Sequence, residues 1–412
     1  MKSFLPVLLR LTSFGVKFSF IFLVAFFLKP EAVAIYGFVT AISIFCSYIL
    51  ALELAKIYVR EICEGLWGEP KRLLKNIFVA ASSSLIAISI PLWFLLEAVQ
   101  LSSYWLLIIG IITLDSLSQE TYKILIGKQE LLKASVFLFV KQAIWPLVSV
   151  ILLYFYPHLR EIETVLIVWL FLSGASYLMS FIFLKVRFID FLVVPLDRRW
   201  LLISVKLALP FVAIALTTRA ITTGDRFLLA MYLPLDQVGA YIFYFSISAV
   251  SLALLDVGIF SVTTPQLLKF RASGLLRECL RLFRKVCLIS ISFLAFYLAC
   301  VYLLTYFFID IFANGAYANY MGILPFVFLF TFVHVINQLL FILLYVFGAD
   351  KVLLKSNVLS VILFAIAVFG MSVLWSVSLV GMIVCLVAGA FVSVIYRLFS
   401  AQRLFAKANV VA

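Results

Sequence analysis

Long apolar runs recur along the whole chain and are separated by short polar connections. A run of about 20 residues crosses roughly 30 Å of hydrocarbon as an α-helix. The pattern predicts twelve helices, at 11–29, 34–58, 76–97, 101–122, 132–156, 163–184, 204–232, 238–262, 285–309, 321–347, 353–374 and 377–398. An even number of membrane crossings places both termini on the same side.

The composition supports this interpretation. Hydrophobic residues make up 66% of the chain and charged residues 12%, whereas a soluble domain has about 45–50% apolar and about 25% charged residues. The ten-residue alternation of outer-membrane strands is not seen in the sequence. The predicted fold class is an all-α polytopic membrane protein with about twelve transmembrane helices.

The cations are distributed unevenly among the connections. Of the 32 Lys and Arg residues, 24 fall on the side of the predicted termini, and the opposite connections contain only Lys29 and Arg160. By the positive-inside rule, the cation-rich side is cytoplasmic, so both termini are predicted to be cytoplasmic. This accounts for the net charge of +13 without nucleic acid as a partner. An additional role on anionic lipid headgroups is a weaker explanation.

The two halves of the chain resemble each other. Val33-Ala34-Ile35-Tyr36 and Val238-Gly239-Ala240-Tyr241 have the same spacing and lie 205 positions apart, and both follow a proline-containing connection. Residues 185–199 form a connection between the halves that contains several charged residues. We therefore predict an N-terminal lobe at 1–190, which includes the linker, and a C-terminal lobe at 191–412. Six helices per lobe predict a parallel repeat with a pseudo-two-fold axis along the membrane normal.

Several cations fall inside the predicted helices. Arg219 and Arg226 are seven residues apart, which places them on one face of the seventh helix. If that face lines a cleft, it presents two cations to an anionic substrate, and Lys17 and Lys141 add to the same field. Arginine binds phosphate oxygens through a planar fork that stays charged. The alternative is pairing with buried acids: Arg226 with Asp225 or Asp256, and Lys17 with Glu53.

The acids inside the predicted helices either take part in coupling or have a structural role. Asp115 and Gln119 lie one turn apart in the fourth helix, where they either bind a coupling proton or sodium ion or pair with Lys123 or another cation. Glu53 is expected in a solvated or ion-paired position near the inner end of the second helix. Asp225 is expected to have a structural role. Ionisable groups inside a membrane tend to face a protein interior or a wet cavity.

Sequence motifs of catalysis are missing. The chain has only two histidines and six cysteines without CxxC spacing, so we expect no metal site and interpret the cysteines as free thiols. No P-loop or nucleophile elbow occurs, and the predicted exterior connections are short. The protein is therefore predicted not to be an enzyme and to have no cofactor. Pro210 is expected to bend the seventh helix.

A set of local motifs points to a known family. In the second half these are Pro210, Asp225-Arg226-Phe227-Leu228-Leu229, Tyr232-Leu233 and Val238-Gly239-Ala240-Tyr241, and in the first half Val33-Ala34-Ile35-Tyr36-Gly37. With the helix count and the repeat, the chain resembles O-antigen and polysaccharide flippases of the Wzx type. These belong to the multidrug/oligosaccharidyl-lipid/polysaccharide exporter (MOP) superfamily.

The resemblance implies a function. Such proteins move an undecaprenyl-diphosphate-linked oligosaccharide from the cytoplasmic to the periplasmic leaflet of the bacterial inner membrane. The resemblance also implies a MATE-like pair of lobes and a cationic cavity into which Lys17, Lys141 and Arg219 would project. The implied mechanism is alternating access, and a proton or sodium gradient is an option to drive it. The expected partners are the lipid-linked glycan, membrane lipids, and a polysaccharide polymerase with its chain-length regulator.

Two other functions remain open. A drug or cation antiporter of the same superfamily would share the fold but would favour acids over cations in its lobes. A membrane enzyme of glycan assembly, such as a polymerase, would be expected to carry a large exterior loop.

Overall fold

The chain folds into helices throughout the part that the structure, a computed structural model, describes. These residues are 4–55, 57–58, 69–374 and 377–411, and their regular secondary structure is entirely helical. The all-α fold class is therefore confirmed. The chain divides into two compact units, Met1–Arg219 and Ala220–Ala412. The lobe boundary at residue 190 stays a prediction.

The described residues of unit 1 form six long helices and a short one, before a further helix that runs into unit 2. They are α1 (Phe4–Phe27), α2 (Pro30–Leu50), α3 (Pro70–Ala98), α4 (Trp105–Gly127), α5 (Leu131–Phe155), α6 (Ile162–Phe183) and the short α7 (Phe188–Val193), followed by α8 (Arg198–Thr223), which runs into unit 2. Proline occupies the first position of α2 and α3, where its missing N–H costs no helical hydrogen bond.

Unit 2 begins within α8, and its described residues continue with further helices. They are α9 (Asp225–Tyr232), α10 (Leu235–Leu255), α11 (Leu276–Phe308), α12 (Leu324–Val346), α13 (Asp350–Leu374) and α14 (Leu379–Val411). α13 and α14 approach closely at Gly389, where an added Cβ would lie 3.0 Å from the Ser360 carbonyl oxygen. The Ser360 hydroxyl donates to the Gly389 carbonyl at 2.8 Å. A side chain at 389 would therefore push the two helices apart.

Two predicted helices contain π-helical turns. α5 changes to π-helix at Val140–Ile144 and returns to α-helix at Trp145. α10 changes to π-helix at Asp256–Phe260 and continues as α-helix over Ser261–Ala272. A π-helical turn accommodates one extra residue and is frequent at functional sites. In α5 it ends two residues before Pro146, which has no N–H to donate to the carbonyl of Gln142.

The predicted seventh helix is wrong in one respect. The sequence predicts one continuous helix over 204–232, but the structure ends α8 at Thr223 and begins α9 at Asp225. Gly224 lies at the interruption. Gly224 itself keeps right-handed helical dihedral angles, φ −70° and ψ −23°, so the expectation that Arg219 and Arg226 share one face stays a prediction. The side chain of Pro210 lies outside the described side chains, and its predicted bend stays untested.

The membrane-spanning character is confirmed, although the count of twelve is not. Ten helices in the described part of the chain are long and apolar enough to cross a membrane. α4 and α8 are not among the ten. α4 contains Asp115, Glu120 and Lys123, and α8 contains Lys206 and Arg219. Both of these helices thus carry charges along the length that the sequence assigns to the membrane.

Part of the linker packs against α3 within unit 1. Phe191 of α7 is buried and packs against Phe78 of α3, with ring centroids 5.8 Å apart. Arg187 donates from Nε to Oδ2 of Asp190 at 3.1 Å, and this hydrogen bond lowers the pKa of the Asp190 carboxyl. Asp190 is thus ionised at neutral pH and places negative charge in the first turn of α7, where the helix dipole favours it.

Candidate functional site

A buried ion pair joins α4 and α5. The ammonium Nζ of Lys141 lies 3.2 Å from Oδ1 of Asp115 and donates to Oε1 of Gln119 at 2.7 Å. The Ser43 hydroxyl of α2 donates to Oδ2 of Asp115 at 3.0 Å. The side chain of Lys141 is only 4% exposed and that of Asp115 20%. Burial at this depth is tolerated because each charge has both an opposite charge and a hydrogen bond.

The π-helical turn of α5 positions the lysine. Lys141 is its second residue, and the turn interrupts the regular α-helical hydrogen-bond pattern at this point. Asp115 and Gln119 are one turn apart on α4, so their side chains point to the same side. Lys141 reaches both at once, a pairing between two helices that spacing within either helix does not predict.

The ion pair lines a small polar cavity. Lys17, Thr40, Ser43, Asp115, Lys141 and Gln142 contribute polar groups to a cavity of about 30 Å³, and Trp145 and Trp169 form its aromatic wall. The two indole rings stack with centroids 4.6 Å apart and an angle of 4° between their planes. A cavity of this volume holds about one or two water molecules.

Three buried atoms around this cavity lack hydrogen-bond partners in the described part of the chain. They are Oγ1 of Thr40, Oε1 of Gln142 and Nε1 of Trp169. Buried polar groups are nearly always hydrogen-bonded in folded proteins. These atoms are therefore available to a small polar or charged group that enters the cavity.

Arg219 interacts electrostatically with Lys17, one of the residues that line the polar cavity. Lys17 interacts electrostatically with Asp115, Lys141 and Arg219. Arg219 donates from Nη2 to the Tyr48 hydroxyl at 3.4 Å, and its guanidinium lies 5.9 Å from the centre of the Tyr48 ring. We call Lys17, Lys141, Arg219 and Asp115 the cationic cluster, and these four described residues carry a formal charge of +2. The structure thus brings together the three predicted cations of unit 1.

A second charged cluster adjoins the first through Tyr48. Nζ of Lys123 lies 5.7 Å from the centre of the Tyr48 ring, 3.1 Å from Oε1 of Glu53 and 2.6 Å from Oε1 of Glu120. Both carboxylates are buried. Two acids around one ammonium carry a formal charge of −1. Glu53 is thus ion-paired with Lys123, and the alternative of pairing with Lys17 is not what the structure shows.

The backbone brings Glu53 into this position. Leu52 and Glu53 have φ angles of 49° and 55°, in the left-handed region that residues with a side chain rarely adopt. Oε2 of Glu120 accepts from the Ala55 backbone N–H at 2.9 Å, which fixes the turn. Sequence reasoning missed Glu120 and Lys123 as partners. Their i, i+3 spacing in α4 was the available signal.

The predicted site residues of unit 2 are dispersed. Asp225 is buried at the first position of α9 and accepts a hydrogen bond from the Tyr241 hydroxyl of α10. It also interacts electrostatically with Arg226, in line with the pairing alternative. Asp256 is exposed in the π-helical turn after α10. None of these observations assigns a substrate role to Arg226 or a coupling role to an acid.

One buried cation of unit 2 was missed entirely. Arg397 of α14 is 3% exposed and donates to the Asn337 carbonyl at 2.8 Å, to the Ser356 hydroxyl at 2.9 Å and to Oδ1 of Asn357 at 2.7 Å. Its guanidinium also lies 5.4 Å from the centre of the Phe341 ring. The sequence pattern places Arg397 among the cytoplasmic cations, whereas in the structure it joins α12, α13 and α14.

The comparison with solved structures identifies the fold. An inward-facing multidrug resistance MATE transporter of the MOP superfamily matches with a TM-score of 0.72 at 12% identity, over 97% of this chain and 98% of that one. The lipid II flippase MurJ matches with a TM-score of 0.70 at 14% identity, over 96% and 87%. The chain has the fold of MOP-superfamily transporters. A MOP transporter from Pyrococcus furiosus, whose binding pocket has reverse polarity, also matches, with a TM-score of 0.58 at 12% identity over 98% and 95%.

The MOP fold confirms the predicted MATE-like architecture of a multi-pass membrane protein. The structural neighbours are transporters and flippases. No family model matches the chain, and no curated protein matches it in sequence. Membrane identity, orientation and substrate stay predictions.

Proposed function

We propose that this protein is a flippase for an oligosaccharide linked to undecaprenyl diphosphate, moving it from the cytoplasmic to the periplasmic leaflet of the bacterial inner membrane. The observation that carries the proposal is the cationic cluster of Lys17, Lys141, Arg219 and Asp115 in the interior of a MOP fold. A diphosphate in bare hydrocarbon would lose its hydration without compensation. Fixed cations beside a polar cavity replace that hydration.

The shared fold is compatible with a lipid-linked substrate, because a lipid II flippase has it, and equally with a drug, because multidrug resistance MATE transporters have it. Reverse polarity of the binding pocket suggests a different function for the Pyrococcus furiosus transporter. The same reasoning applied here favours an anionic substrate, since cations exceed acids around the cavity. In this proposal the diphosphate contacts the cationic cluster, the glycan occupies the polar interior, and the two lobes alternate access.

A drug or cation antiporter is the second candidate. It is favoured by the cluster of Glu53, Glu120 and Lys123, in which two buried carboxylates surround one cation. Acids in excess could bind a cationic drug or a coupling proton or sodium ion. A glycan polymerase has no such support from the described residues, and a polymerase and chain-length regulator stay expected partners only.

Replacing Arg219 with glutamine tests the proposal. The measurement follows a fluorescent undecaprenyl-diphosphate oligosaccharide across the bilayer of liposomes that contain the purified protein. We expect transbilayer movement to fall about tenfold, the effect of one lost charge-assisted hydrogen bond. The same measurement is made with and without a proton or sodium gradient.

Arg160 provides the matched control. Its guanidinium lies 5.2 Å from the centre of the Phe27 ring, much as Arg219 faces Tyr48, but it is exposed and, unlike Arg219, is not one of the charged groups that act on Lys17. Arg160→Gln should transport like the wild type. Equal transport by Arg219→Gln would remove this arginine from the site. Movement of a cationic dye, with none of the lipid-linked sugar, would establish the antiporter instead.

A further inference from the structure

An apolar groove runs along α1 and α5, beside the polar cavity. It has a volume of about 340 Å³ and is lined by Gly15, Val16, Ser19, Phe20, Pro146 and Val150, among others. This volume is within the range of about 300–1,000 Å³ typical of small-molecule sites. The wall of the groove is almost entirely apolar, so it matches a hydrocarbon occupant.

The groove and the polar cavity are carried by the same two helices. Lys17 of α1 and Lys141 of α5 line the cavity, while Gly15 of α1 and Pro146 of α5 line the groove. Phe20 belongs to the groove and Trp145 to the cavity, and their ring centroids lie 4.9 Å apart. One layer of aromatic side chains therefore separates a cationic compartment from an apolar one.

The contacts between the two helices hold this arrangement in place. Nε of Arg10 in α1 donates to the hydroxyl of Ser135 in α5 at 3.0 Å, at one end of the helix pair. Phe20 and Trp145 contact each other further along, and both are buried. Gly15 leaves open space between these two contacts, because an added Cβ there would meet no atom within 4 Å. The absence of a side chain at position 15 thus keeps the groove open.

We infer that this groove receives the first isoprenoid segment of the lipid-linked substrate, while the attached diphosphate contacts the cations of the neighbouring cavity. The inference rests on the proposed function. A polyprenyl diphosphate has an apolar chain joined directly to a polyanion, and the groove and the cationic cluster present these two chemistries side by side. An ordinary phospholipid chain has no diphosphate to bring it to this position.

The groove contributes to substrate binding mainly through van der Waals contacts and through positioning of the chain. Moving a chain from the bilayer into an apolar groove removes little surface from water, since lipid tails are already apolar. Van der Waals contacts with the groove wall fix the chain near its diphosphate. The groove thus orients the substrate before the polar head enters the lobe.

Filling the groove tests the inference. Gly15→Leu places a side chain in open space, so it should not disturb the fold, and glycine is unfavourable inside a helix in any case. Gly370→Leu is the matched control, because Gly370 is also inside a long helix, α13, with no atom within 4 Å of an added Cβ. Both variants should give wild-type thermal unfolding.

The first readout is binding of undecaprenyl diphosphate, without sugar, to the protein in nanodiscs. Gly15→Leu should weaken it roughly tenfold, the ratio expected for about ten lost carbon–carbon contacts, and Gly370→Leu should not. Inorganic diphosphate, which has no isoprenoid chain to place in the groove, should bind both variants equally. Equal loss of undecaprenyl diphosphate binding in both variants, or in neither, overturns the inference.

The second readout does not depend on transport. An undecaprenyl diphosphate with a diazirine on its first isoprene unit is photo-crosslinked, beside a phospholipid with a diazirine on its acyl chain. Crosslinks of the isoprenoid probe should map to α1 and α5 and be lost in Gly15→Leu. The same map for both probes would mean that the groove holds ordinary lipid, which overturns the inference.

Transport separates this inference from the proposed function. Flipping by wild type and Gly15→Leu alike, with no difference in crosslinking, would leave the flippase standing without this groove. No flipping by wild type, with isoprenoid crosslinks still confined to α1 and α5, would count against the flippase and leave the groove as a polyprenyl site.

Discussion

A chain with both Lys141→Gln and Asp115→Asn should fold normally and yet lose transport of the lipid-linked oligosaccharide. Asp115→Asn keeps the size of the side chain and Lys141→Gln shortens it by one bond. Together they replace the ion pair by two amides, so neither member of the pair keeps a charge that has lost its partner. The formal charge of the cationic cluster stays at +2, because one cation and one acid are removed together. Transport should nevertheless fall about ten- to a hundredfold, the loss expected for a charge-assisted hydrogen bond to phosphate.

The single variants separate structure from function. Lys141→Gln alone removes the nearest cation of Asp115 and leaves the interaction with Lys17. Because Asp115 is also 20% exposed, it should destabilise the protein by less than the roughly 3–5 kcal/mol typical of a fully buried charge that loses its partner. Asp115→Asn alone keeps the lysine but leaves it buried without its anion, so this variant should also be destabilised; the folded protein should transport at least as well as the wild type. Thermal unfolding and liposome flipping are measured for all three. Wild-type transport by the double variant would show that Lys141 serves only to neutralise Asp115.

Replacing Arg397 with methionine should destabilise the protein strongly. Methionine keeps an unbranched apolar chain but removes every donor to the Asn337 carbonyl, Ser356 and Asn357. Two of these acceptors are buried and that of Asn357 is partly buried, and all three would be left without this donor. Because each buried acceptor left unpaired costs about 1–3 kcal/mol, we expect a total loss of about 3–5 kcal/mol, which corresponds to a fall in Tm on the order of 10 °C for a domain of this size.

Arg403 is the control for this variant. It lies further along α14 and is exposed. Arg403→Met should leave the unfolding temperature of the detergent-solubilised protein unchanged. Arg397→Lys should be intermediate, because an ammonium cannot reproduce the planar fork that reaches three acceptors. A wild-type Tm for Arg397→Met would exclude the proposed joining of α12, α13 and α14.

The apolar pattern was enough to predict most of the helices. α3, α6 and α13 lie close to their predicted positions because long apolar runs bounded by polar residues have few other stable structures in a membrane. The interruption at Gly224 and the π-helical turns of α5 and α10 were not predictable. They depend on how each helix packs, and they leave the apolar pattern itself unchanged.

The candidate site was predictable as a set of charges but not as a set of pairs. Lys17, Lys141 and Arg219 stand out in the sequence because cations inside apolar runs are costly. Whether Asp115 faces Lys123 or Lys141 depends on the rotation of α4 against α5, which no spacing within one helix determines. Arg397 was missed because a cation near the end of a helix has the same sequence signature whether it is solvated or buried.

The pairing of Lys141 with Asp115 has a consequence for selectivity. The lobe carries its own counter-anion, so an incoming anion must outcompete a carboxylate that is already in place and held by Ser43. Chloride or a simple monoester gains little from such an exchange. A diphosphate with several oxygens can take over Lys141 while also engaging Lys17 and Arg219. Competition with the carboxylate of Asp115 would thus weaken binding of the abundant small anions of the cell and favour polyvalent anions.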